Sequence, residues 1–355
     1  MARTSLRRGA YWMVTVAMLL AWGCGVPRAH WEFERQLLAV DRMADHGEHE
    51  DAARLYEVLA GRSHREDLVR YATFRAAEMR WRAGHCAEAF ERFGIIARRR
   101  QHAYDEEAGR AQLRRAQIAA SCLHDEVTAR RELEQTLFVY PRTLAAQEAL
   151  RMLESGVGTR EEAAALLGWL SEHYPLVRDS ELAAPWLYLS ARLLEEELGE
   201  LSMALVLYDT IAGRMTRTGL NDDAIWRAIA ILRQQGERDE ERRRLWRFVR
   251  HREVTWFMAN YDSAYYVPAY QRLAEMAEEE EDWAEALAVY HELLARFPFL
   301  LRGPHTRYHM MGLYERLGNL PGMVRMAREI EENHPDSRFV GRARARLDSA
   351  GGHAP

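Results

Sequence analysis

Asp282-Trp283-Ala284-Glu285-Ala286-Leu287-Ala288-Val289-Tyr290, followed at a short distance by Phe297-Pro298, is the stretch whose reading decides the fold. Wound at 3.6 residues per turn, it puts Trp283, Ala286, Leu287, Tyr290 and Leu294 on one face. A single helix cannot bury such a face by itself, so it needs neighbours carrying the same device. Degraded copies of the stretch supply them along most of the chain.

Each copy is a turn residue, then a small residue five positions on, then a large side chain four positions further. The copies are Gly47 to Ala52 with Tyr56, Gly84 to Ala89 with Phe93, His124 to Ala129 with Leu133, and Gly158 to Ala163 with Leu167. Gly199 to Ala204 with Tyr208, Gly236 to Glu241 with Leu245, Glu281 to Ala286 with Tyr290, and Gly318 to Met323 with Ala327 complete the series. The turn positions step by 37, 40, 34, 41, 37, 45 and 37 residues. Glycine suits a turn that needs positive φ where a first helix stops, and the small residue lets a second helix cross the first closely. The large side chain fills the space beneath that crossing. Pro141, Pro175, Pro298 and Pro335 fall twelve residues after positions 129, 163, 286 and 323, where a proline is expected to end the second helix.

A sustained period of this kind resembles the tetratricopeptide repeat, over roughly residues 36 to 349. Glu241 in place of alanine, and His124 and Glu281 in place of glycine, depart from the pattern. The resemblance implies an all-α fold, a right-handed superhelical solenoid of about eight helix-turn-helix repeats. The segment from Asn333 to Leu347 reads as a capping helix and residues 350–355 as a loose tail. Two antiparallel neighbouring helices in this fold would carry Cys86 and Cys122, which either pair as a disulfide in an oxidising compartment or pack as two small buried thiols.

The N-terminus reads as a targeting segment. Arg3, Arg7 and Arg8 precede an apolar stretch from Ala10 to Trp22, short of the ~20 residues a bilayer span needs but suited to a signal peptide. Ala21-Trp22-Gly23-Cys24 resembles the lipobox of bacterial lipoproteins, although Trp22 and the absence of Leu at 21 depart from it. Residues 1–23 are therefore expected to be a signal peptide, Cys24 the lipidated residue, and residues 24–35 a linker. The implied address is the periplasmic face of the outer membrane, with secretion into the periplasm as the alternative.

Composition excludes little but directs the reading. With 49 basic and 54 acidic residues the net charge is −5, so no global attraction to nucleic acid arises. All the basic residues are Arg, a compositional bias. The most basic run, Arg242 to Arg252, interleaves Leu245, Trp246 and Phe248. Behind an export signal it is a charged outer helix face first, and a contact for acidic lipid or lipopolysaccharide phosphates second.

No catalytic constellation is evident, so no enzyme activity, cofactor, metal or small-molecule substrate is expected. His305 and His309 have ligand spacing on one helix face but lack a third ligand, and Gly156-Val157-Gly158 lacks the strand that precedes a nucleotide-binding loop. Binding is placed by the resemblance instead, because the first helix of each repeat lines the concave surface. That puts Tyr71, Phe74, Trp81, Trp186, Leu189, Trp226, Arg233, His305 and Tyr308 there, with Glu315 beside them. The long step between the sixth and seventh repeats adds Trp256, Phe257 and Tyr261 as a second gripping surface.

A lipoprotein signal followed by repeats ending in motifs such as His173-Tyr174-Pro175 and Asn333-His334-Pro335-Asp336-Ser337 resembles the BamD-type outer-membrane lipoproteins. This implies a non-catalytic scaffold that binds other envelope proteins or peptides, in outer-membrane protein assembly or envelope maintenance. The alternative is an accessory subunit of a polysaccharide or peptidoglycan export or synthesis system.

Overall fold

The structure is a computed structural model and describes residues 28–99, 105–216, 218–250 and 263–351. The expected signal peptide, Cys24, the insertion residues Trp256, Phe257 and Tyr261, and most of the tail lie outside the described residues.

Among the described residues there are seventeen α-helices and no strand. They are α1 (Arg28–Asp45), α2 (His49–Arg62), α3 (Glu66–Arg82), α4 (Cys86–Arg98), α5 (Glu106–Ser121), α6 (Glu126–Val139), α7 (Leu144–Ser155) and α8 (Arg160–Val177). Then follow α9 (Ala183–Arg192), α10 (Leu201–Arg214), α11 (Asn221–Gln235), α12 (Arg238–Arg250), α13 (Tyr266–Glu279), α14 (Trp283–Arg296), α15 (Gly303–Arg316), α16 (Leu320–Asn333) and α17 (Phe339–Gly351). In chain order the first sixteen fall into eight consecutive helix-turn-helix pairs, and α17 packs on α15 and α16. Below, the odd-numbered member of each pair is its A helix and the even-numbered one its B helix. The chain divides into two compact units, residues 1–186 and 187–355. α1 begins inside the segment expected to be a linker.

The turn chemistry explains the pairing. Gly47, Gly84, Gly199, Gly236 and Gly318 all have positive φ, between 63° and 87°, and each lies in the turn between the A and B helices of its pair. In five turns the next residue donates its N–H to a carbonyl five positions back: Glu48 to Met43, His85 to Arg80, Glu237 to Leu232, Asp282 to Ala277 and Asn319 to Tyr314. This is the Schellman closure that satisfies the orphan carbonyls of a helix end. His124 (φ 55°) and Glu281 (φ 59°) adopt the same left-handed conformation without being glycine. Gly158 does not: here Thr159 caps α8, accepting from the Glu162 N–H while Glu162 accepts from the N–H groups of Gly158 and Thr159. Side-chain caps also start α6 (Asp125), α14 (Asp282) and α16 (Asn319), each accepting a backbone N–H three residues on.

Every expected crossing residue is buried: Ala52, Ala89, Ala129, Ala163, Ala204, Glu241, Ala286 and Met323. Beneath them Tyr56, Phe93, Leu133, Tyr208, Leu245, Tyr290 and Ala327 are buried as well, while in the fourth repeat Leu166 and Leu170 fill the place expected of Leu167. Gly322 is a further close contact, since a Cβ there would overlap the Tyr314 ring. One boundary is corrected: α8 continues through Pro175 to Val177. The ring removes only the donor for the Ser171 carbonyl, and the last turn still closes through Arg178 N–H to the Tyr174 carbonyl.

Candidate protein-binding faces

In the first unit the A helices present a ladder of polar side chains. Asp41 on α1 accepts hydrogen bonds from the hydroxyls of Tyr56 and Tyr71, the latter at 3.1 Å. Arg75 on α3 lies 3.9 Å from Asp41 and 2.8 Å from Glu78. Glu78 also pairs at 3.2 Å with Arg114 of α5, which donates at 2.6 Å to Gln117. Gln117 in turn reaches Met152 Sδ on α7. Burial together with the Asp41 carboxylate holds the Tyr56 phenol well above its ordinary range, so it stays a neutral donor.

The expected ring positions on this face divide. Tyr71 is 41% exposed. Trp81 is half-buried beneath the Arg114 guanidinium, 5.7 Å from its ring. Phe74 is corrected: it is buried, edge-on to Phe93 at 5.2 Å, with Arg110 of α5 over its other side at 4.9 Å.

Trp186 is also corrected, being fully buried. Its indole N–H donates to the Leu170 carbonyl at 2.9 Å, and its ring stacks on Trp169 at 5.4 Å within a group that includes Phe138 and His173. Nearby, α6, α7 and α8 border a cleft of about 620 Å³ lined by Leu133, Met152, Val157, Leu166 and Trp169, with Arg130 over the Trp169 ring at 4.5 Å.

Leu189, in the second unit, is buried too. The physical reason for both residues is the π-helical turn Leu193–Leu198 that separates α9 from Gly199. A π turn holds one residue more than an α turn, so counting back from Gly199 misplaces every position before it by one. The partly exposed stripe of α9 is instead Pro185, Tyr188 and Arg192.

That same turn aims two carboxylates at one cation. Arg227 of α11 pairs with Glu195 at 3.2 Å and with Glu196, while Arg192 holds Glu196 at 2.8 Å. Burial opposes ionisation of Glu196, but Arg192 and Arg227 outweigh it and keep its carboxyl below the ordinary value. Trp226 stacks face to face on Tyr265 at 5.3 Å. Tyr265 donates to Asp223 at 2.5 Å, which with burial pushes its phenol up to about 12.

Further along the second unit the expected Arg233 is committed to Glu241 at 2.7 Å, and Arg272 of α13 takes the same carboxylate at 2.9 Å. The last repeat's positions are partly covered. His305 and Tyr308 each lie 5.5 Å from the Phe339 ring of α17, and Glu315 pairs with Arg346 at 2.6 Å. His309 turns away from His305 to Glu278, 2.9 Å off, and among the described residues no group of three His, Cys, Asp or Glu could hold a metal ion.

Cys86 opens α4 and Cys122 follows α5; the two are joined as a disulfide across a Cα–Cα distance of 6.2 Å. Arg75, Arg114, Tyr188 and Arg227 carry no signal that marks them in the sequence by itself, whereas Tyr265 belongs to the aromatic run of the long step between the sixth and seventh repeats. Arg75 lies one helical turn after Tyr71 and Arg227 lies next to Trp226, a spacing that places them on or beside the same faces.

No family model matches the sequence, and no curated protein matches it. Among solved structures, the chain is similar to the type IV pilus biogenesis factor PilW, at 14% identity over 77% of this chain and 97% of that one, TM-score 0.29. A tetratricopeptide repeat protein from Parabacteroides merdae shares 12% identity over 73% and 91% of the two chains, TM-score 0.30. Human IFIT1 shares 13% over 89% and 77%, TM-score 0.28. The repeat architecture stands on the helix pairs themselves.

Proposed function

We propose that the chain is a non-catalytic scaffold of the cell envelope that holds other envelope proteins or peptides against its A-helix faces. It would be tethered to the periplasmic face of the outer membrane through lipid on Cys24. The observation that supports this is the combination of accessible rings with fixed arginines: Tyr71 and Trp81 beside Arg75 and Arg114, and Trp226 and Tyr265 beside Arg227. Rings supply apolar area at low entropic cost, and guanidinium groups already held by carboxylates can bind a peptide carbonyl without being reordered.

The test is affinity purification from detergent-solubilised membranes with the unsubstituted chain and with a Tyr71→Ala/Trp81→Ala/Trp226→Ala variant. Envelope proteins recovered with the first and lost with the second are expected. An eluate unchanged by the variant refutes binding through these faces, and an eluate of glycan-synthesis components favours the accessory-subunit reading. Mass spectrometry of the N-terminal peptide checks for acyl chains on Cys24.

A further inference from the structure

The loop between α14 and α15 presents two large apolar side chains to solvent: Phe299 is 97% exposed and Leu301 94%. Isolated exposed apolar residues are ordinary on protein surfaces, but this loop is held in place. Phe297 and Leu300 pack against the core of the second unit. Backbone hydrogen bonds from Leu300 to Phe297 and from Gly303 to Leu300, at 3.1 and 2.8 Å, fix the turns between them. The alternation is thus built in, two residues inward and two outward.

The surroundings are cationic. Arg296, at the end of α14, donates to the Val249 carbonyl and so ties the loop to the C-terminal end of α12. There Arg247 and Arg250 are exposed, with Arg250 lying 4.6 Å over the Trp246 ring. On the other side, the point where a Gly303 Cβ would sit is 3.6 Å from His334, which brings the turn before α17 alongside. Arg302 and Arg338 are exposed in these two turns, against one carboxylate, Asp336. None of Arg247, Arg250, Arg302 and Arg338 makes an ion pair among the described residues.

We propose that this end of the second unit is a membrane-contacting edge, at which Phe299 and Leu301 enter the headgroup boundary of an anionic lipid surface while the four arginines engage lipid phosphates. Protruding apolar side chains with exposed cations around them fit a deformable anionic surface, whereas a folded partner would have to offer two matching recesses. The inference rests on the membrane location in the reading above and adds to it a second point of attachment, far along the sequence from Cys24.

The full chain would be bound to vesicles after attaching a nitroxide at Leu301→Cys, with the label at Val127→Cys, 81% exposed in the first unit, as the comparison. The unsubstituted chain reports any labelling of Cys24. On vesicles containing phosphatidylglycerol, the label at 301 is expected to gain collisions with oxygen and lose them with a water-soluble nickel chelate, while the label at 127 stays aqueous. Arg247→Gln and Arg302→Gln should each lower the immersed-to-free ratio about fivefold. Three results overturn the proposal: a label at 301 that stays open to nickel on these vesicles, equal immersion in pure phosphatidylcholine, or shielding without vesicles, which would indicate a second copy of the chain. Because the readout is local to position 301, its failure leaves partner recovery in the affinity experiment unaffected.

Discussion

Glu241 occupies the crossing position where the other repeats carry a small or apolar residue, and replacing it tests how the sixth and seventh repeats are joined. Its side chain is 2% exposed and binds Arg233 of α11 at 2.7 Å and Arg272 of α13 at 2.9 Å, so one carboxylate on α12 links three helices. Removing one partner of a buried pair costs about 3–5 kcal/mol when the other charge is left stranded. Here the stranding is partial, because Arg272 keeps Glu279 at 2.8 Å and the Arg233 side chain is 42% exposed. Glu241→Ala is therefore expected to destabilise by about 2 kcal/mol, which lowers the melting temperature of a unit this size by about 4–8 °C. Glu241→Gln keeps the volume and should cost somewhat less. Burial pushes the Glu241 carboxyl up, but the hydrogen bonds and charges of Arg272 and Arg233 outweigh it and leave it below its ordinary value. A carboxyl lowered by folding contributes stability that is complete above the unfolded value, about 4.3, and is lost as pH falls through the folded one. Thermal melts followed by far-UV circular dichroism should thus show a wild-type advantage over Glu241→Gln that is constant from about pH 7 to about 5 and shrinks below about pH 4. If Glu241→Ala melts at or above the wild-type temperature at neutral pH, or if the Gln deficit persists undiminished near pH 3, the network is not what joins these repeats.

Trp186→Ala should lower stability by about 3–5 kcal/mol in chemical denaturation, because it empties a site packed by Trp169 and Phe138, while recovery of partners by the folded fraction stays unchanged. Cys86→Ser, which opens a covalent link spanning 36 residues, should cost about 3–4 kcal/mol, and a reducing agent should bring the wild-type protein to the same denaturation midpoint. His124→Gly and Glu281→Gly should each stabilise by about 0.5–1 kcal/mol in the same measurement. Relief of left-handed strain exceeds the added entropy of glycine, and neither change touches a crossing residue.

The repeats were legible because their turns impose a backbone conformation that few residues adopt, so Gly47, Gly84, Gly199, Gly236 and Gly318 marked themselves. His124 and Glu281 were found only through the phase of their neighbours, since neither residue type signals positive φ. Gly158 was correct as a boundary but wrong as a mechanism, because the Thr159–Glu162 capping box that begins at the next residue already satisfies the helix start.

Depth was harder to read than phase. A count along an A helix gives the direction of a side chain and says nothing of what packs over it, which is why Phe74 was placed in solvent although Phe93 and Arg110 enclose it. The fifth repeat failed for a different reason, and an instructive one. Leu193 to Leu198 carries three consecutive glutamates with no feature that distinguishes a π turn from an α turn. The extra residue is retained where the wider turn brings Glu195 and Glu196 to Arg227 together. If that electrostatic gain sustains the bulge, deleting one residue of the turn should restore the α phase, expose the Trp186 face and release Arg227. Indole fluorescence shifting to the red together with loss of partner recovery would report this. A deletion that leaves the fluorescence unchanged would show that packing around Trp186, and not the carboxylate pair, sets the phase of this helix.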